Sequence, residues 1–212
     1  MQLLSVRTIS TVMQAVGCSK SGYVALFLGC VLATCTSRPA QAAQIGSRVP
    51  DFRLSDSAGK LHSAKDYSGR IVVVAFWSFK CPVSLVYDDR LRELGEKYGS
   101  GRVSILAVDS NSNESAPEVA RNAQNRNLRY PILIDEDGDV ADKLQATLVP
   151  SFYVFDAAGI LRYQGPLDNG KKPGDRARIP YLEQALDELL SGRSVSNPEF
   201  PFSGCAIRRR TL

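Results

Sequence analysis

Histidine is nearly absent from this sequence of 212 residues, in which His62 is the single example. A cysteine–histidine hydrolase needs a histidine base held beside its nucleophile, and no spacing in the chain points to such a pair. A thiol-based copper site would need two nearby cysteines as well as the histidine, and Ser84 stands where the second thiol near Cys81 would be. We therefore predict no metal site and no bound cofactor.

Acidic residues are absent from the first 42 positions, whereas Arg7, Lys20 and Arg38 supply basic charge there. The apolar run Tyr23–Leu32 is only ten residues long and is followed by Ala40-Gln41-Ala42. A basic segment, a short apolar core and small residues at a cleavage site are typical of a secretory signal peptide. The run is too short to span a bilayer comfortably. We predict cleavage after Ala42 and a periplasmic or secreted mature protein.

Two other fates of this leader stay open. The segment could remain uncleaved as an N-terminal anchor. Leu32-Ala33-Thr34-Cys35 also resembles a lipoprotein processing site at Cys35, although Thr34 is a poor residue immediately before a lipidated cysteine. With cleavage after Ala42, we expect no stable membrane span in the mature chain.

Removal of the leader changes both the charge and the cysteine content. The net charge falls from +4 to +1, because three basic residues and no acidic ones leave. Overall basicity is then no argument for nucleic-acid binding, and we predict none. Of five cysteines only Cys81 and Cys205 remain. An even pair in an oxidising compartment favours a disulfide.

Beyond the leader, strand patterns alternate with helix patterns. Ile71–Phe76 and Val103–Val108 are apolar on both faces, as central parallel strands are. The first of them is followed by an apolar stripe at helical spacing, made up of Val83, Tyr87, Leu91, Leu94 and Tyr98. Pro180–Leu190 predicts a final helix. A hairpin at Phe152–Tyr163 precedes that helix. This order predicts an α/β sandwich around one sheet.

Cys81 lies where the first central strand gives way to a helix. Phe76 ends the strand, a short turn follows, and Pro82 fits the first turn of the helix. A thiol at a helix N-terminus is activated by the positive end of the helix dipole. Lys80 adds a positive charge next to it. Cys81 is therefore our candidate nucleophile.

The chain resembles the thioredoxin-like redoxins, the group that contains alkyl hydroperoxide reductase-type and extracytoplasmic thiol-disulfide oxidoreductase domains. The resemblance covers roughly residues 45–192. It depends on Pro50-Asp51-Phe52, Phe76-Trp77 with Cys81-Pro82, Asp135-Glu136-Asp137-Gly138, and Val149-Pro150-Ser151-Phe152-Tyr153-Val154-Phe155-Asp156. It implies a three-layer sandwich with a central mixed sheet flanked by helices.

The resemblance also implies a site. Val149-Pro150 is similar to the cis-proline loop of the family, which places backbone beside the active-site sulfur and lets a substrate chain pair alongside it. The residues expected to shape this groove are Trp77, Ser78, Lys80, Pro82, Ser84, Val149 and Pro150. The expected partners are protein or small-molecule thiols and disulfides, and a redox donor protein could supply electrons.

Two departures from the family pattern matter. The usual second cysteine, three residues after the first, is Ser84 here, so Cys81 cannot resolve a mixed disulfide locally. The peroxidase branch places a proline seven residues before its cysteine, where this chain has Val74, although Ser78 fits. The arginine that peroxidases place just before the strand at Phe152 is also missing. A thiol peroxidase stays an alternative function, weakened by the missing proline and the missing arginine.

Cys205 lies in a tail, residues 193–212, that follows a domain at residues 43–192. We expect this tail to be ordered or semi-ordered, with Arg208-Arg209-Arg210 as a solvated chain end. Its length would let Cys205 return to Cys81 as a distant resolving thiol. The other possibilities are a permanent disulfide in a non-catalytic binding module, and two unrelated thiols.

Overall fold

A computed structural model of the protein describes residues 43–99, 101–172, 174–175 and 177–210. The predicted cleavage after Ala42, lipidation at Cys35 and N-terminal anchor all lie outside these residues. Within the described ranges, every helix is too short or too polar to cross a membrane.

The strands of the described chain are mostly short. They are β1 (Arg53–Ser55), β2 (Leu61–Ser63), β3 (Ile71–Phe76), β4 (Val103–Asp109), β5 (Ile132–Ile134), β6 (Leu148–Val149), β7 (Ser151–Phe155), β8 (Leu161–Gly165) and β9 (Cys205–Ala206). The helices are α1 (Pro82–Tyr98), α2 (Ala116–Asn125), α3 (Asp139–Lys143) and α4 (Tyr181–Leu190), with a 3-10 helix at Ala64–Tyr67.

The central sheet is mixed and has the order β5-β4-β3-β7-β8. Strands β3, β4 and β5 are parallel, whereas β7 runs antiparallel to both β3 and β8. Every residue of β3, β4 and β7 is buried, which explains why these strands read as apolar runs. The prediction of an α/β sandwich with a central mixed sheet is confirmed.

Two apolar cores lie on the two faces of the sheet. One joins alternate residues of β3 and β7 to α1, α4 and Val119 of α2. The other joins the intervening residues to α3 and to Ile207 of the tail. Four members of the predicted helical stripe are buried in α1, namely Tyr87, Leu91, Leu94 and Tyr98, and Val83 is partly buried.

The C-terminal tail is docked along the domain, as an ordered segment would be. Its backbone pairs with β8, since Gln164 N donates to Pro198 O and Phe200 N donates to Gln164 O. The ring of Phe200 stacks on Tyr181 with centroids 4.1 Å apart. Apolar side chains of the tail therefore find partners on distant elements, so the tail follows a defined path.

Candidate functional site

Cys81 is the N-cap residue of α1, with extended backbone angles and Pro82 at the first helical position. The chain reaches it from β3 through Trp77, whose N–H still donates to Val108 O of β4 at 3.0 Å. The Cys81 carbonyl then accepts the first helical bond, from Leu85 N at 3.2 Å. The sulfur is thus fixed at the positive end of a helix of 17 residues.

Cys81 and Cys205 form a disulfide across 124 positions of sequence, with Cα atoms 6.0 Å apart. Cys81 is only 2% exposed, whereas Cys205 is partly exposed. The neighbours of Cys205 on the tail, Ser203, Gly204 and Ala206, are all exposed. The two sulfurs therefore belong to residues with very different access to solvent.

The Val149–Pro150 peptide bond is cis, as the resemblance implied. Strand β6, which ends at Val149, pairs antiparallel with β9, and Val149 lies opposite Cys205. Ile207 N also donates to Thr147 O at 2.9 Å. The tail of the chain therefore occupies the edge along which a substrate strand was expected to pair.

Several contacts beyond the disulfide hold the tail in this groove. The ring of Phe202 packs on Tyr153, with centroids 5.5 Å apart, and Ile207 is buried. Arg208 N donates to Asn111 Oδ1 at 3.0 Å. The tail is therefore held in place both before β9, at Phe202, and after it, at Ile207 and Arg208.

The arginine run is exposed as expected, but it is not a freely solvated end. Arg209 donates to Asp142 Oδ1 at 2.7 Å and to Gly138 O at 3.1 Å. Arg210 pairs with Glu136. Basic residues of the tail therefore contact the acidic turn and helix that begin near Asp135, and these contacts were not predicted from the sequence.

Ser78 and Lys80 contact residues that follow β4 in the chain, in the loop before α2 and in α2 itself. Ser78 Oγ donates to the buried Glu114, and Phe79 N donates to the same carboxylate at 2.9 Å. Lys80 Nζ donates to Asn113 O and lies 3.4 Å from Glu118 Oε1. The recorded partners of its ammonium group are thus Asn113 and Glu118, whereas the sequence had suggested a charge acting on Cys81.

Trp77 and Ser84 are both buried, at 2% and 0% exposure. Among the described residues, Trp77 Nε1 and Ser84 Oγ have no hydrogen-bond partner. Ser84 occupies the third helical position after Cys81, where a local second thiol would sit. Of the predicted site residues, the structure brings together Cys81, Cys205, Pro82, Val149 and Pro150.

An acidic cluster behind the cysteine loop was not predicted from the sequence. Asp109 ends β4 and accepts hydrogen bonds from Asn111 N and Nδ2 at 2.8 and 2.9 Å. Burial and the Glu114 carboxylate raise the pKa of Asp109 to about 7, although Asn111 and the Lys80 charge oppose the rise. The signal was present in the sequence, because Asp109 directly follows the apolar run Val103–Val108 that predicts a buried parallel strand.

No group of three or more metal-ligating side chains occurs in the part of the chain that the structure describes. His62 is buried, and its ring nitrogens contact Tyr67 Oη at 2.5 Å and Asp56 Oδ2 at 2.8 Å. Both nitrogens are therefore engaged by protein groups.

Parts of this chain are similar to known proteins. The model of the AhpC/TSA family matches residues 45–164. The thiol-disulfide oxidoreductase ResA of Geobacillus thermodenitrificans is 33% identical over 121 residues, which cover 56% of this chain and 67% of the relative. The thioredoxin-like protein YneN of Bacillus subtilis is 30% identical over 120 residues, covering 56% and 69%. These alignments therefore span about two thirds of each relative.

Two solved structures resemble the chain over a longer stretch. A hypothetical protein from Sinorhizobium meliloti has a TM-score of 0.75 at 24% identity, covering 81% of this chain and 98% of its own. An uncharacterized conserved protein from Geobacillus kaustophilus has a TM-score of 0.74 at 28% identity, covering 81% and 95%. The structural likeness thus includes more of the chain than the alignments to ResA and YneN.

Proposed function

The chain belongs to the AhpC/TSA family and is a thiol-disulfide oxidoreductase, and we propose that Cys81 and Cys205 are its redox-active pair. One observation carries the proposal: a cysteine at a helix N-terminus is bonded to a tail cysteine that lies opposite Val149 in the cis-proline loop. Cys205, which lies 124 positions after Cys81, thereby takes the place of the local second thiol that Ser84 lacks.

In the reduced protein, the Cys81 thiolate attacks one sulfur of a substrate disulfide. A mixed disulfide forms between Cys81 and the substrate, and the other substrate sulfur leaves as a thiolate that takes a proton from solvent. Cys205 then attacks Cys81 Sγ, which releases the second substrate thiol and forms the Cys81–Cys205 bond. The substrate gains two electrons, and the protein pair loses two.

The surroundings of Cys81 suit this role. The N-terminus of α1 stabilises the attacking thiolate. Cys81 Sγ lies 3.4 Å from the Val149 carbonyl oxygen, which can accept a hydrogen bond from the protonated thiol. Pro150 places that carbonyl and the edge of β6 beside the sulfur. We assign Val149 and Pro150 to the substrate groove, and Trp77, Ser78, Lys80, Pro82 and Ser84 to the walls and backbone around Cys81.

We assign the protein to an extracytoplasmic compartment, either periplasmic or secreted. One support is the composition of residues 1–42, which is typical of a signal peptide. The other is that cleavage after Ala42 would leave Cys81 and Cys205 as the two cysteines of the described chain, joined in a disulfide. Disulfides persist in oxidising environments. The proposed partners are thiols and disulfides of proteins or small molecules, with a redox donor protein as a source of electrons.

A peroxidase would use the Ser78 hydroxyl as a donor to the peroxide oxygens. In this protein that hydroxyl donates to Glu114, so the position that fits the peroxidase pattern is already engaged. We therefore propose disulfide exchange in preference to peroxide reduction.

The test follows thionitrobenzoate release when the reduced full chain meets dithiobis(nitrobenzoate). Wild type should release two equivalents and finish with the Cys81–Cys205 bond. Cys205→Ser should release one equivalent and keep the adduct on Cys81. Cys81→Ser should react at least about tenfold more slowly, because it lacks the thiol activated by the helix.

A wild type that resists reduction by dithiothreitol while folded would make the disulfide a structural staple and overturn the proposal. Equal rates for Cys81→Ser and wild type would overturn the assignment of Cys81 as the attacking residue.

A further inference from the structure

In the oxidised protein, the two cysteines of the disulfide differ in their accessibility to an incoming thiol. A thiolate attacks a disulfide in line, from the side opposite the sulfur that leaves. Cys81 is 2% exposed, and its sulfur is bonded to Cys205 and lies 3.4 Å from Val149 O. An approach to Cys81 Sγ therefore requires displacement of protein, whereas Cys205 is partly exposed.

The surface around Cys205 is open and carries small side chains. Ser203, Gly204 and Ala206 are exposed, and none of them is bulky enough to shield the disulfide. The tail is held on both sides of this stretch by Phe202 on Tyr153 and by Arg209 on Asp142. Cys205 is thus presented on a fixed strand at the surface.

The stability of the leaving thiolate also favours attack at Cys205. Attack at Cys205 expels Cys81 as a thiolate, and that thiolate forms at the N-terminus of α1, where the helix dipole stabilises it. Attack at Cys81 would instead expel Cys205, which lies in a two-residue strand with no such helix. Exchange is faster when the departing thiolate is more stable, so access and chemistry favour the same sulfur.

We propose that the reductant of this protein attacks Cys205, so that the tail is the point of electron entry and Cys81 is the point of exit. This inference rests on the proposed redox cycle and specifies how its oxidised half is reset. The reductant class is a thiol that reaches an exposed strand, either a small molecule such as glutathione or a protein dithiol.

Reduction of the pair then takes two exchanges. The reductant thiolate bonds to Cys205 Sγ, the Cys81–Cys205 bond breaks, and Cys81 departs as a thiolate. A second thiol of the reductant then attacks the reductant sulfur of the mixed disulfide, and Cys205 departs and takes a proton. The reductant loses two electrons and becomes a disulfide, and the protein pair gains them.

With entry at Cys205, the reductant and the substrate contact different parts of the protein. The reductant meets Cys205 while β9 remains paired with β6, so it need not displace the tail. The substrate of the reduced protein must reach Cys81, so it competes with the tail for the edge of β6 and for the Val149–Pro150 loop. Reductant and substrate therefore use different surfaces.

Brief treatment of the oxidised full chain with glutathione tests the inference directly. The reaction is quenched with N-ethylmaleimide after a few seconds, before the adduct can migrate, and the peptides are mapped. We expect glutathione on Cys205 and maleimide on Cys81, in about tenfold excess over the reverse arrangement. Glutathione mainly on Cys81 would overturn the inference and leave the proposed redox pair standing.

No adduct on the folded chain, with reaction only after unfolding in urea, would instead overturn the redox pair itself.

A matched pair of variants adds a kinetic test. Ala206→Glu places a negative charge beside Cys205 and should slow attack by the glutathione thiolate about threefold to tenfold at low salt. Ala157→Glu adds the same charge in the exposed turn between β7 and β8 and should leave the rate unchanged. Equal rates for the two variants would contradict entry at Cys205.

Discussion

The backbone of Gly204 passes so close to the carbonyl group of Val149 that a Cβ atom on residue 204 would lie 2.8 Å from the carbonyl carbon and would overlap the oxygen. It would also lie 3.3 Å from Pro150 Cδ. Glycine is the one residue that permits this approach. Because Cys205 follows directly, the closeness of Gly204 to the loop determines where the second sulfur is held.

We predict that Gly204→Ala weakens the Cys81–Cys205 bond. Either the tail or the Val149–Pro150 loop must move, and overpacking of this kind costs about 1–3 kcal/mol. The equilibrium constant for forming the disulfide, measured in glutathione redox buffers, should fall by about fivefold to a hundredfold. Ser203→Ala, at the exposed neighbouring position, is the control and should match wild type. An unchanged constant for Gly204→Ala would show that the tail is not held against the loop.

Arg209 anchors the tail on the far side of Cys205, and we predict that its carbonyl contact matters more than its ion pair. Asp142 is 73% exposed at its side chain, and exposed ion pairs contribute about 0–1 kcal/mol. The same guanidinium also donates to Gly138 O. Arg209→Ala should therefore lower the disulfide equilibrium constant about threefold to tenfold, and Asp142→Ala by less than about threefold. Equal losses in the two variants would assign the anchoring to the ion pair.

The central fold could be predicted because its strands carry their own signal. Ile71–Phe76 was predicted with the bounds that the structure has, and the hairpin and final helix lie within one or two residues of their predicted bounds. Strands buried on both faces are apolar throughout, and a helix with one buried face has a regular stripe. Neither signal depends on distant parts of the chain.

The docking of the tail could not be predicted in this way. Strands β6 and β9 contain two residues each, too few for any periodicity. The partners of the tail, Tyr153, Asn111 and Asp142, lie on separate elements, so their convergence depends on the complete fold. The sequence did identify Cys205 by elimination, since the predicted leader contains the other three cysteines.

Asp109 makes the stability of the oxidised protein depend on pH. Its pKa is raised to about 7 in the folded protein, chiefly by burial, and is about 4 in an unfolded chain. Below pH 4 the carboxyl group is protonated in both states. Between pH 4 and 7 the unfolded chain releases a proton that the folded protein keeps, so the free energy of unfolding falls as the pH rises.

We predict that Asp109→Asn removes this loss. The asparagine oxygen can still accept from Asn111, and no charge is buried. Relative to wild type, the variant should gain stability between pH 4 and 7, reaching on the order of a few kcal/mol at pH 8, and should be no more stable at pH 3.5. Urea unfolding across this range measures the effect, with Asp51→Asn at an exposed position as control. A constant difference between Asp109→Asn and wild type at all pH values would contradict the assignment.

Ser84 marks the place from which a local resolving thiol is missing, and restoring that thiol should replace the function of Cys205. Ser84 is fully buried and its hydroxyl has no partner among the described residues, so a cysteine there loses no hydrogen bond and suits a buried position. We predict that Cys205→Ser releases one equivalent of thionitrobenzoate, whereas Ser84→Cys combined with Cys205→Ser releases two. The second release would come from the introduced thiol, which would attack the adduct on Cys81 across the first turn of α1. Ser84→Ala combined with Cys205→Ser, which lacks both hydroxyl and thiol, should release one. A persistent adduct in the variant with the new cysteine would mean that the helix start holds residue 84 away from the Cys81 sulfur, and that resolution in this protein requires the tail.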